Sequence, residues 1–105
     1  MKKLFAAIAL SLLVPGMAFA AGDAAAGKEK VTTLGCVACH GADGKSAVGI
    51  YPNLAGQQSM YLESSMKAFR SQDRKGNQAA LMYVYASKLT DQDIADLAAY
   101  FSSLK

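Results

Sequence analysis

The 105-residue chain has a single histidine, His40, and two cysteines, Cys36 and Cys39. With so few donors, a structural zinc site built from His and Cys falls short of its usual four ligands, and a metal held between two imidazoles is excluded outright. Lys and Arg nowhere run together with interleaved aromatic residues, so nucleic acid is not an expected partner. No strand-like alternation matches the helical patterns in length, and no internal repeat occurs. A βαβ pattern near the cysteines is also missing, which removes a thioredoxin-like dithiol from consideration.

What is present begins with a leader. Lys2 and Lys3 precede an apolar run from Leu4 to Val14, Pro15-Gly16 breaks it, and Ala18-Phe19-Ala20 gives a small-x-small cleavage pattern. The competing reading is a retained anchor, because Leu4 to Ala21 carries no charge and approaches the length of a spanning helix. The helix-breaking pair and the cleavage pattern favour removal after Ala20. Residues 1–20 are therefore expected to be a signal peptide and residues 21–105 one exported, soluble domain. Loss of Lys2 and Lys3 takes the formal charge from +3 to +1, so polyanion binding loses its compositional support. So short a domain has a marginal core unless something else fills its centre.

Three helices are legible after the leader. Asp23 is placed to cap a helix from Ala24 to Leu34, with Gly35 as its left-handed stop. Gly27, Val31 and Leu34 share one side of it, and a glycine on a buried stripe implies close approach by another helix, expected to be the last one. Gly41 to Gly56 is rich in Gly, Asp, Ser and Asn and includes Pro52, the pattern of an irregular loop able to wrap a planar ligand. Gln58 to Arg70 sets Leu62, Met66 and Phe69 at helical spacing. The polar stretch Ser71 to Gln78 ends that helix and leads to a short segment, Ala79 to Lys88. Thr90-Asp91-Gln92-Asp93 then forms a variant capping box, followed by Ile94, Leu97, Ala98 and Phe101 on one helical stripe.

Chemistry concentrates in Cys36-Val37-Ala38-Cys39-His40, the attachment pattern for c-type haem. On a helical turn, positions i and i+3 are neighbours, so both thiols face one way and can add to the two vinyl groups of a porphyrin. His40 follows directly, which places a neutral imidazole beneath the iron. A disulfide, ordinary for two cysteines in an oxidising compartment, leaves His40 unexplained. The sixth iron position needs another donor, and methionine is suited to it because a soft thioether favours reduced iron and raises the potential. Met1 and Met17 leave with the leader. Met60 falls on the polar helical face with Ser64 and Lys67, and Met66 shares the apolar stripe of Leu62 and Phe69. Met82 remains, outside the strong helices.

These residues resemble a class I c-type cytochrome, of the small bacterial monohaem kind that is also similar to one half of certain dihaem electron carriers. Four pieces carry the resemblance across nearly all of residues 21–105: Cys36 to His40, Tyr51 to Gln57, Met82, and Leu89 to Phe101. It implies an all-α cytochrome c fold, with four or five short helices around one haem c covalently attached through Cys36 and Cys39. First and last helices would cross, pairing Gly27 and Val31 with Leu97 and Tyr100. It also implies His40 and Met82 as iron ligands, and Pro52 as the residue whose carbonyl fixes the His40 imidazole. Family members often carry a proline beside the methionine, whereas this chain reads Leu81-Met82-Tyr83-Val84-Tyr85. Tyr83 and Tyr85 are open to two roles, reaching haem propionates or packing, and packing is the preferred one.

The expected function is therefore not enzymatic: an electron-transfer protein in the periplasm, shuttling single electrons in a respiratory chain. The resemblance implies redox protein partners, accepting from a membrane oxidoreductase and donating to an oxidase, reductase or peroxidase. Two alternatives stand beside it, a haem subunit relaying electrons inside a larger enzyme and a ligand-binding haem sensor in which Met82 is absent or labile. Arg70, Arg74 and Lys75 form a local basic patch, for which a solvated turn is preferred over a docking site.

Overall fold

The computed structural model describes residues 21–105, and the leader expected over residues 1–20 lies outside them. Five helices follow one another: α1 (Ala24–Thr33), α2 (Val37–His40), α3 (Ser59–Arg70), α4 (Ala79–Ala86) and α5 (Asp91–Ser103), with no strand among the described residues. The expected all-α architecture is the one observed.

Asp23 starts α1 by accepting the backbone N–H groups of Ala25 at 2.9 Å and Ala26 at 3.3 Å, two of the donors that a helix start leaves unsatisfied. The helix stops one residue short of the expected Leu34, which becomes its C-cap, and Gly35 at φ +87° turns the chain away. Gly27 explains itself in the packing. A Cβ there would collide with the Asp96 carbonyl and the Tyr100 Cβ, so its absence lets α1 cross α5 with backbone close against backbone.

Polar groups reinforce the same crossing. Asp96, 3% exposed, accepts from the Asp23 N–H at 2.8 Å, Gln92 Nε2 at 2.9 Å and Lys30 Nζ at 2.7 Å. Lys30 also meets Asp93 at 2.9 Å. Asp93 in turn completes the expected capping box, its N–H donating to Thr90 Oγ1 at 3.0 Å and its carboxylate accepting the Thr90 N–H at 2.9 Å. The Lys30 ammonium is foremost in holding the Asp96 carboxyl down at about 2, against the opposing effect of burial.

Val31, Leu62, Ala86, Leu89, Ile94, Leu97, Ala98 and Phe101 form the apolar core, so α1, α3, α4 and α5 all contribute to it. From α3, Leu62 enters that core while Met66 and Phe69 pack beside it, and Met60 is 81% exposed, as its polar helical face requires. Arg70 ties the end of α3 to the start of α5, donating to the Leu89 carbonyl at 3.0 Å and pairing with Asp91 at 2.8 Å. The segment Ala79 to Lys88, which the sequence leaves unassigned, contains a true helix, α4. Its buried residues are Ala79 and Ala86, while Leu81, Val84 and Tyr85 are exposed, so apolar side chains lie all round it and erase the amphipathic signal.

Candidate functional site

Cys36 begins a single helical turn. The His40 N–H donates to the Cys36 carbonyl at 3.0 Å and the Gly41 N–H to Val37 at 3.1 Å, so residues 36 and 39 are neighbours one turn apart. Both thiols are free and both border a cavity of about 410 Å³. His40, Pro52 and Met82 border the same cavity, so every residue singled out for the site from sequence is brought together around one space. Helix α2 and the following loop, helices α3 and α4, and Phe101 of α5 all contribute to its lining.

His40 is buried, and its Nδ1 lies 2.8 Å from the Pro52 carbonyl oxygen. A carbonyl only accepts, so Nδ1 carries the proton and Nε2 keeps the lone pair. In that tautomer Nε2 is the ring nitrogen available as a donor. Helix α4 delivers Met82, whose position three residues after Ala79 and four before Ala86 puts it on the inward side of the helix. Met66 also borders the cavity but packs against the apolar core, whereas exposed Met60 borders nothing of it.

The alternatives weighed from sequence find little support in this geometry. Burial pushes the Cys36 thiol up to about 11, away from the lowered value that a reactive dithiol needs. No group of three or more His, Cys, Asp or Glu among the described residues is arranged to hold a metal ion, so zinc lacks its ligand set. A haem does fit. Leu54, Leu62, Phe69, Ala79 and Phe101 give apolar walls, two thiols lie on one border, and an imidazole nitrogen and a thioether are available as donors.

The structure also divides residues that the sequence groups together. Arg70 is engaged with Asp91 outside the cavity, while Arg74 and Lys75 line its mouth. Tyr83 donates its hydroxyl to the Arg74 carbonyl, and Tyr85 forms part of the cavity wall. Tyr61 and Ser65 line it too and went unnoticed in the sequence, where Tyr61 sits beside exposed Met60 and has no distinguishing pattern.

Comparison with known proteins points to one family. The family model described as Cytochrome c matches residues 24–105. Cytochrome c-554(548) of Halomonas halodenitrificans is 61% identical over 83 residues, covering 79% of this chain and 98% of that protein. Cytochrome c4 of Pseudomonas aeruginosa is 45% identical over 106 residues, covering 100% of this chain and 50% of that protein. Among solved structures, cytochrome c4 of Acidithiobacillus ferrooxidans superposes with a TM-score of 0.70 at 32% identity, over 84% of this chain and 53% of that one. The chain thus spans about half the length of the cytochrome c4 relatives, like one domain of a dihaem protein. With one thiol pair bordering the cavity and a match from α1 to the last residue, the chain belongs to the cytochrome c family, as a class I c-type electron-transfer protein with one covalently bound haem c.

Proposed function

We propose that this protein is a periplasmic single-haem shuttle, cleaved after Ala20, that carries one electron at a time between a membrane oxidoreductase and a terminal oxidase, reductase or peroxidase. The observation that carries the proposal is the pair of donors bordering one cavity, the His40 imidazole from α2 and the Met82 thioether from α4. Haem c, when bound, supplies a reversible one-electron couple.

The residues of the chain do the rest. Cys36 and Cys39 tether the group from one helical turn, so its register against His40 is fixed by covalent geometry. The Pro52 carbonyl holds the His40 proton on Nδ1 and keeps Nε2 as ligand. Met82, bordering the same cavity, would offer its thioether as the second protein ligand, and a group held by both residues would have no open position for substrate. Leu54, Leu62 and Phe101 keep water from the interior. At the mouth, Ile50 and Leu81 are 62% and 46% exposed and offer a redox partner apolar surface beside one edge of the cavity. No helix among the described residues is long and apolar enough to cross a membrane, and export rests on the leader pattern.

Two experiments test the reading. Absorption spectra of the matured protein in both oxidation states are expected to be low-spin, with no carbon monoxide adduct on brief exposure. A high-spin reduced form that takes up carbon monoxide readily would instead establish the sensor alternative. N-terminal sequencing of periplasmic material is expected to begin at Ala21.

A further inference from the structure

The cavity wall is electrically one-sided. It includes two cations, Arg74 and Lys75, and no Asp or Glu. Their circumstances differ. Lys75 turns its ammonium to the Gln72 carbonyl at 2.7 Å, a bond within its own exposed turn. Arg74 is absent from the ion pairs among the described residues, which join Lys30 to Asp93 and Asp96 and Arg70 to Asp91.

Arg74 is nevertheless held in place. Its N–H donates to the Ala68 carbonyl at 3.2 Å and its own carbonyl accepts the Tyr83 hydroxyl, so the backbone is fastened from both sides. The guanidinium carbon lies 4.8 Å from the centroid of the Phe69 ring, itself packed on the core. Stacking occupies one face of a planar guanidinium and leaves N–H donors at its edge beyond the one that meets the Tyr61 hydroxyl, the geometry suited to a carboxylate. Tyr61 and Ser65 line the same part of the wall. The Ser65 hydroxyl first, and the Arg74 cation after it, draw the Tyr61 phenol below its ordinary value, so the field of the guanidinium reaches across the mouth.

A haem has two propionate carboxylates, and a carboxylate brought into a largely apolar cavity is costly unless a charged donor meets it. Building on the haem reading above, we propose that Arg74 is a positioning residue for the cofactor, binding a haem propionate through the free edge of its guanidinium. Its positive charge beside the iron then favours the reduced state. The rival source of a carboxylate is an acidic side chain on a docked redox partner, and measurements on the isolated protein separate the two.

The test is the midpoint potential and the propionate bending modes in the resonance Raman spectrum of matured wild type, Arg74→Gln and Lys75→Gln. Arg74→Gln is expected to raise the ferric-to-ferrous ratio at fixed applied potential several-fold, up to about tenfold, equivalent to about 59 mV for one electron. Its propionate modes should move while its spin-state markers stay low-spin, and Lys75→Gln should change both readouts less. Should Arg74→Gln fail to mature, Arg74→Lys retains the charge and is expected to keep the potential close to wild type while still moving the propionate modes. Unchanged potential and modes in a low-spin Arg74→Gln protein would overturn the proposal, as would a variant altered only in electron exchange with a partner. Loss of the low-spin markers in wild type would strike at the haem reading rather than at Arg74.

Discussion

Asp96 is an acid on the buried side of the last helix, and it is tolerated there because three donors converge on its two oxygens. Replacing Asp96 by Asn keeps the shape but removes the charge opposite Lys30, and a loss of roughly 1–3 kcal/mol is expected, the range for breaking a charged hydrogen bond at a buried site. Chemical denaturation of wild type and variant at neutral pH measures it. The pH dependence follows from the carboxyl being held at about 2, below its ordinary 3.8. Stabilisation from this group is present above about pH 4 and lost as the pH falls towards 2, because the unfolded chain takes up the proton first. Asp96→Asn should therefore lie below wild type at pH 7, with the gap narrowing through that acid window. A gap that widens on acidification would contradict the assignment. None of this is visible in the sequence, where Asp96 looks like one more surface acid between Ala95 and Leu97. Its burial depends on α1 lying across it, and long-range crossings leave no local mark.

Helices announce themselves in proportion to their caps and their two-sidedness. Helix α1 has Asp23 before it and Gly35 after it, and α5 has the Thr90 to Asp93 box, so both are readable to within a residue. Helix α3 is readable from Leu62, Met66 and Phe69. Helix α4 is not, because Gln78 supplies no side-chain cap and apolar residues surround it. Cys36 to His40 and Met82 are singled out in the sequence because the chemistry restricts residue type, and the structure brings them to one cavity, while Arg74 reaches that cavity only through the way a turn folds. Gly27 is the sharpest link between element and sequence. An alanine there gains about 1 kcal/mol of helix propensity, yet its Cβ meets the Asp96 carbonyl, a backbone atom that cannot rotate away. Gly27→Ala is expected to be net destabilising by about 1–3 kcal/mol, the usual range for overpacking, read as a lower thermal midpoint of the mature protein. An unchanged or raised midpoint would show that α1 and α5 are less tightly apposed.

For the molecule as a whole, the cavity and the core belong to one packing problem. Residues 21–105 give a small domain, and a cavity of about 410 Å³ lies within it, bordered by core residues Leu62 and Phe101. Small domains have little stability to spare, so the covalent group that fills this space is expected to be part of the fold as well as the redox centre. Cys36→Ala with Cys39→Ala should yield a chain without haem that lacks a cooperative unfolding transition by circular dichroism. A sharp, native-like transition in that double variant would show that the polypeptide closes its core unaided. The axial thioether remains the central claim, and the sulfur-to-iron charge-transfer band of the oxidised protein tests it most directly. The band is expected in wild type and in Met66→Ala, and to vanish in Met82→Ala; its survival in Met82→Ala with loss in Met66→Ala would contradict the assignment.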